Sequence, residues 1–304
     1  MRIIAPDYYH HFRCIADKCR HSCCIGWEID IDPDTREKYR HIPGEFGKRL
    51  NAAIEDGEVS TFRLGEGERC PMLNASGLCD LITALGEESL CQICADHPRF
   101  RNYFSNRTEI GLGLCCEEAA RLILTRETPM KLVVLEDDGR GGELSEDEED
   151  LLAIRDTLIL TLQDRTLPLP ARLDELLALG GRSIPALDWV ALYRDLERLD
   201  PRWDDALDLL DMPRQSLPHS FDTAIENFTV YLLYRHLPGA LEDDDIAGRT
   251  AFCVLSAQIL MALCAAKPGC TMEDLLDFAR MYSAEIEYSQ DNIDALLDAL
   301  WEVA

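Results

Sequence analysis

A chain of 304 residues that is 47% hydrophobic can build a sizeable core, which argues against wholesale disorder and removes any need for disulfide staples. Its net charge of −27, from 30 Lys+Arg against 57 Asp+Glu, excludes nucleic acid and anionic membrane as expected partners, and no basic stripe interleaved with aromatics runs through it. The same field attracts cations and lysine-bearing protein segments.

Residues 1–7 carry neither an apolar signal region nor a cleavage site, and the most apolar window, 251–266, is too short and mixed to span a bilayer. The expectation is a soluble cytoplasmic protein. In that compartment disulfides are rare, and clustered thiols bind metal.

In chain order, residues 1–30 show little periodicity and hold the first cysteine group, Cys14, Cys19, Cys23 and Cys24, so a loop folded around something is expected. The spacing predicts a helix over 33–54, capped by Asp34, then a short hairpin at 60–64. Cys70 and Cys79 flank a turn at Ala75-Ser76-Gly77. Helical turns at 81–85 and 87–94 carry Cys91 and Cys94, and His97-Pro98-Arg99 breaks the pattern. Residues 102–114 read as extended, and a helix starts at Cys116.

Residues 131–135 read as a short strand. From Glu136 to Asp150, nine acidic residues face the single Arg140, which predicts an acidic linker over 128–150. Ser145 with Glu148 forms a capping box for the next helix. Helices follow at 151–162, 171–179, 186–199, 221–237, 244–266, 272–287 and 292–303, each with apolar residues at three- and four-residue intervals. The expected fold is mainly α. A cysteine-rich loop and helix part built around a metal cluster (1–127) precedes the linker (128–150) and a helical domain (151–304).

Ten of the 13 cysteines fall between Cys14 and Cys116. Thiolates three to five residues apart on a loop can converge on one ion, and four suit either zinc or an iron–sulfur cluster. Spacing leaves that choice open. Cys253, Cys264 and Cys270, on later helical stretches, read as inert buried thiols. His11, His21 and His97 lie close enough to the cysteines to replace a thiolate.

The pattern Cys14-x4-Cys19-x3-Cys23-Cys24-x2-Trp27-x-Ile29, Cys70-Pro71-x-Leu73, Gly77-Leu78-Cys79, Gly86-Glu87-x2-Leu90-Cys91-x2-Cys94 and His97-Pro98-Arg99 resembles the flagellin lysine-N-methylase (FliB-like) family. That family lies within a wider group of zinc- or iron-chelating cysteine-cluster (YkgJ-like) proteins. The resemblance continues at Cys116-x-Glu118-Ala119-Ala120-Arg121-Leu122, at Glu226-Asn227, at Tyr231-Leu232-x-Tyr234-Arg235, and at Tyr282-x3-Ile286-Glu287-x-Ser289-x2-Asn292. Glu117, Cys115 and Tyr288 depart from it: the family has proline, serine and histidine there.

The resemblance implies an iron–sulfur-containing lysine N-methyltransferase with a [4Fe–4S] cluster (zinc being the alternative). It implies S-adenosylmethionine as donor and lysine ε-amines of flagellin or a similar surface protein as acceptor. It implies Cys19, Cys23, Cys24, Cys70, Cys79, Cys91, Cys94 and Cys116 as metal ligands, with Cys14 a further candidate. The rival reading is a non-catalytic zinc- or iron-binding or redox-sensing module.

Methyl transfer also needs a deprotonated lysine, whose ordinary pKa is about 10.4, and a site for the sulfonium donor. Tyr282, Glu285 and Glu287 are the candidate catalytic groups, and Arg99, Glu226 and Asn227 the candidate donor-binding groups. At 272–287 a regular helix turns Tyr282 and Glu285 together and Glu287 away. Glu109-Ile110-Gly111-Leu112-Gly113 imitates a nucleotide-binding loop without its third glycine. The radical-enzyme spacing Cys-x3-Cys-x2-Cys is absent, since Gly26 stands in its third position.

Overall fold

Ile3, Ile4 and Ala5 are too short an apolar run to announce a strand, yet Arg2–Pro6 pairs on both sides in the computed structural model. It lies parallel to Arg107–Leu112, with Ile3 opposite Thr108, and antiparallel to Leu132–Asp137, with Ala5 opposite Val133. Arg99–Tyr103 completes a four-stranded sheet at the far edge of Arg107–Leu112. The structure describes residues 1–301.

The chain divides into two compact units, one of residues 1–12, 100–115 and 119–304, the other of residues 13–99 and 116–118. The boundary therefore differs from a cut near residue 127. The strands at 2–6, 107–112 and 132–137 are far apart in sequence, and their hydrogen bonds draw them into the helical unit. Part of the expected linker is strand Leu132–Asp137, while residues 138–145 remain without regular structure.

In the helical unit, Ile246–Ala266 is the central helix, packed against Leu169–Gly180, Asp222–His236, Met272–Tyr282 and Gln290–Trp301. Asp245 caps it by accepting from Gly248 N at 2.8 Å. At 21 residues it is long and apolar enough to cross a bilayer, longer than the expected window, but 83% of its most apolar window is buried within the protein. That burial fits a core helix.

Glu146–Leu162 begins as expected. Ser145 Oγ accepts from Glu148 N at 3.2 Å, and Glu148 returns to Ser145 N at 2.8 Å and also accepts from Ser105 N. Ser145→Ala should cost about 1 kcal/mol, read by urea denaturation; a loss under about 0.3 kcal/mol would mean Glu148 alone holds the end of the helix.

Arg202–Leu209 is a helix the periodicity does not announce, because Asp204, Asp205 and Asp208 dilute it; Pro201 directly before it is the signal that was there. The run 272–287 is not one α-helix. Met272–Tyr282 passes into a π-helical turn, Ser283–Glu287, which widens the spiral and changes where each following side chain points. The final helix is Gln290–Trp301, and the predicted end at 303 lies outside the described residues.

The cysteine unit is short-elemented. Pro33–Arg40 and Gly44–Ala52 replace the single helix expected over 33–54, because Pro43 has no N–H to continue it and Gly44 takes φ +79°. Asp32, not Asp34, caps the first helix, accepting from Thr35 N at 2.9 Å. Asp30–Ile31, Ser60–Phe62 and Ile54–Glu55 form a small antiparallel sheet with Ser60–Phe62 in the middle. Its core is Ile29, Ile31, Tyr39, Leu50, Phe62, Met72 and Leu81, together with the buried Cys70 and Cys91.

Candidate metal centre and the buried polar networks

Nine cysteines, Cys14, Cys19, Cys23, Cys24, Cys70, Cys79, Cys91, Cys94 and Cys116, lie in the one unit, although its sequence is interrupted between 99 and 116. None of the nine is in a disulfide. A backbone scaffold brings their segments together. Cys70 N donates to Cys24 O at 2.9 Å, Leu73 bridges Cys79, and Asp80 N donates to Met72 O at 2.8 Å. Cys79 and Cys91 each stand at the start of a short helix, Asp80–Leu85 and Gln92–Asp96. Glu117 draws in the returning strand of chain: its carboxylate accepts from Arg20 N at 2.9 Å, from Arg20 Nε at 3.1 Å and from Cys19 Sγ at 3.7 Å.

The thiols feel one another. Cys23 and Cys24 share a thiol hydrogen bond that drives Cys23 far above the usual thiol range and pulls Cys24 down to about 7, with Ser22 and Arg69 assisting. Cys91 and Cys94 split in the same way, Cys91 downward and Cys94 upward. Burial pushes Cys19 and Cys70 up to about 11, and raises Cys79 as well. Backbone N–H groups of Met72 and Leu73 face the Cys70 sulfur, and those of Ile82 and Leu81 face that of Cys79. Such N–H groups stabilise a thiolate.

Beside them, His97 is held neutral. Burial, helped by Arg99, lowers it to about 4, and its Nε2 has no hydrogen-bond partner among the described residues. Trp27 packs on that ring at 6.0 Å and donates to Cys23 O. Among the described residues no group of three or more His, Cys, Asp or Glu side chains is placed to hold a metal ion. In chemical type alone the residues are those that zinc and iron–sulfur clusters take: abundant thiols, backbone donors to sulfur, and an imidazole nitrogen without a hydrogen-bond partner among the described residues.

The remaining site candidates lie elsewhere. Arg99 donates to Ala95 O at 3.1 Å and His97 O at 3.4 Å, near the carbonyl end of Gln92–Asp96, where a cation is favoured. In the helical unit, Glu226 is fully buried between two guanidiniums. Arg165 reaches its Oε1 at 2.9 Å and Oε2 at 3.0 Å, and Arg172 its Oε2 at 2.6 Å. Asn227 donates to Arg126 O at 2.9 Å and Leu124 O at 3.4 Å, fixing the end of helix Glu117–Leu124.

Tyr282, Glu285 and Glu287 point three ways, so the regular-helix expectation that Tyr282 and Glu285 share a face fails at the π-helical turn. Tyr282 OH meets Ser256 Oγ at 2.6 Å and Tyr193 OH at 3.3 Å, under Trp203 and Phe228. Glu285 accepts from Arg198 at 3.1 Å and from the backbone N of Leu199 and Asp200 at 3.0 and 2.8 Å. Glu287 pairs with Arg235 at 2.7 Å and accepts from Tyr231 OH and, at 3.0 Å, from Ser283 Oγ. Burial works against its charge, but Arg235, His236 and Tyr231 outweigh burial and hold the carboxyl below its usual range.

Two residues that depart from the family pattern touch each other: Cys115 Sγ donates to Tyr288 OH at 2.9 Å. Nothing in either local sequence pairs them, since they are 173 positions apart. Glu109-Ile110-Gly111-Leu112 is strand rather than a nucleotide loop. Glu109 is buried in an ion pair with Arg155 at 2.6 and 2.9 Å, and Phe100 covers Gly111 so closely that a Cβ there would stand 2.2 Å from the ring.

A lysine-N-methylase of Salmonella choleraesuis strain SC-B67 is 30% identical over 142 residues, which is 43% of this chain and 34% of the relative. The lysine-N-methylase of Salmonella typhimurium strain LT2 matches at the same identity and coverage. The flagellar biosynthetic protein FliU of Salmonella muenchen is 26% identical over 140 residues, 43% of this chain and 81% of the relative. The chain thus spans about a third of the length of the curated lysine-N-methylases it matches. No family model and no solved structure matches it. Over this shared stretch the chain is similar to the lysine-N-methylases and to FliU, in keeping with the resemblance its cysteine spacing carries.

Proposed function

We propose that this protein is a cytoplasmic protein-lysine N-methyltransferase that transfers methyl groups from S-adenosylmethionine to lysine ε-amines of flagellin or a similar surface protein. The observation that carries this reading is the gathering of nine family-spaced cysteines into one unit of a chain whose relatives are lysine-N-methylases. The acidic surface, at −27 overall, supports capture of lysine-bearing segments at low salt.

In this reading the cysteine unit holds an iron–sulfur cluster, or zinc, on thiolates drawn from Cys14, Cys19, Cys23, Cys24, Cys70, Cys79, Cys91, Cys94 and Cys116. Bound there, such a group would lock the loops together and supply a Lewis-acidic or redox-active centre. Backbone N–H groups at Met72, Leu73, Leu81 and Ile82 stabilise thiolate charge, and Trp27 covers the Cys23 loop. Arg99, at the edge of the unit, remains the candidate partner for the donor's carboxylate. Tyr282, Glu285, Glu287, Glu226 and Asn227 act here as positioning residues, because their polar atoms are already bound to neighbours within the helical unit.

Their engagement is also the observation that favours the second reading, a non-catalytic zinc- or iron-binding or redox-sensing module. The experiment that separates the two is incubation of anaerobically purified protein with methyl-labelled S-adenosylmethionine and flagellin. Label recovered as methyl-lysine supports the enzyme. A stable, metal-containing protein that leaves flagellin unlabelled supports the module.

A further inference from the structure

A cleft of about 520 Å³ lies wholly within the cysteine unit, lined by strand Asp30–Ile31, the first turns of helix Pro33–Arg40, residues 58–60 and the start of helix Gln92–Asp96. No cysteine lines it. Its floor is closed by internal pairing. Arg36, whose side chain is 9% exposed, gives Nε and Nη2 to Asp56 at 2.7 and 2.9 Å and Nη1 to Asn51 Oδ1 at 2.6 Å. Ser60 Oγ donates to Asp56 Oδ1 at 2.9 Å. Asp32 accepts from Thr35 N and from Gln92 N, both at 2.9 Å, and Arg40 turns to Glu37 at 3.1 Å.

The charge left unengaged has one sign. Asp30 and Glu58 are exposed, and among the described residues neither carboxylate has an ion pair or a hydrogen bond. Pro33, Val59 and Ile93 supply apolar wall, and Val59 is 54% exposed. A drug-sized molecule takes a mostly apolar pocket that buries about 70–90% of its surface. Here five of the eleven lining residues are charged, which suits instead a side chain with an aliphatic stem and a cationic head. The net charge of −27 favours the approach of such a group. Two carboxylates beside an ammonium stabilise its charged form, whereas a methyl-accepting lysine has to lose its proton. A lysine held in this cleft is therefore not the one that reacts.

We propose that this cleft docks a protonated lysine side chain of the protein substrate, at a position other than the methylated one. Asp30 and Glu58 take the ammonium, and Pro33, Val59 and Ile93 line the stem. The cleft thereby selects which lysines are presented for modification, by requiring a second lysine on the same surface. The identity of the partner rests on the methyltransferase reading given above; the cleft and its free carboxylates do not.

The test is isothermal titration of the full chain with purified flagellin, at low salt and without methyl donor. Wild type is compared with Asp30→Asn/Glu58→Gln and with Glu143→Gln/Glu242→Gln, which removes the same two charges from exposed positions in the other unit. All four side chains are exposed, so the fold should persist, with circular dichroism as the check. The cleft variant should bind flagellin about tenfold more weakly, the upper range for two exposed ion pairs, and the control should bind as wild type does. In methyl transfer the cleft variant should raise KM for flagellin by a similar factor and leave kcat unchanged. Unchanged binding by the cleft variant, or an equal loss in both variants, overturns the docking cleft; methyl transfer by the wild type would then still stand. A wild type that binds no flagellin also overturns it. Selective loss of binding in the cleft variant, from a wild type that leaves flagellin unmethylated, supports the cleft and overturns the methyltransferase reading.

Discussion

Glu226→Gln is expected to destabilise the helical unit by about 3–5 kcal/mol, the usual cost of removing one partner from a buried ion pair. The carboxylate is fully buried, and Arg172, whose side chain is 4% exposed, has no water to replace it. Arg165 is 35% exposed and keeps some hydration, so most of the loss comes from Arg172. For a unit of this size the midpoint of thermal unfolding should fall by roughly 6–20 °C. Differential scanning calorimetry reads it. A shift under about 2 °C would mean that the two arginines find other partners, and Glu226 would then return as a candidate for donor binding.

The second large effect is at Glu287. Glu287→Gln leaves Arg235, whose side chain is 14% exposed, without its carboxylate partner, and should also cost about 3–5 kcal/mol. This prediction has a pH signature. Glu287 is held below its ordinary value of 4.5, so its pairing stabilises the fold fully above that value and is lost as pH falls through its lower value in the fold. The gap between wild type and Glu287→Gln, measured by urea denaturation, should be constant between pH 6 and 8 and narrow below about pH 4.5. A gap that widens in acid would show that the fold favours the protonated carboxyl, so that Arg235 does not hold Glu287 charged. In both variants, methyl transfer assayed where the protein is still folded should be retained in large part, as expected for residues that position rather than touch substrate.

What could be read from the sequence divides along the range of the interactions. The Ser145–Glu148 capping box, the helix over 221–237 and the central apolar helix were legible because their signals lie within one turn or one face. The cysteine-rich stretch was legible from composition, and nine of its cysteines do fall in one compact unit. The partners of Glu226 and Glu287 were not, because Arg165 and Arg172 lie 61 and 54 positions from the first and Arg235 lies 52 from the second. The strand Arg2–Pro6 was hidden because its pairing, not its composition, makes it a strand.

Geometry at the site was misread where a regular period was assumed. A straight α-helix over 272–287 turns Tyr282 and Glu285 together, whereas the π-helical turn Ser283–Glu287 sends the three candidate groups to Tyr193, to the 198–200 backbone and to Arg235. Similarly, Pro43 divided a helix whose apolar spacing ran straight through it. The return of Cys116 to the cysteine unit was signalled only by the cysteine itself, since Glu117, which anchors it, replaces the family's proline.

The central claim is that a metal centre in the cysteine unit supports lysine methylation. The most direct measurement compares wild type and Cys23→Ser, both purified anaerobically, for bound metal and for methyl transfer from S-adenosylmethionine to flagellin lysines. Cys23 is exposed, so serine should leave the circular dichroism spectrum unchanged. The account predicts that the variant loses metal and loses at least about tenfold in methyl transfer, equivalent to 1.4 kcal/mol in the barrier. Equal methylation by both proteins, with metal missing from the variant, would contradict it.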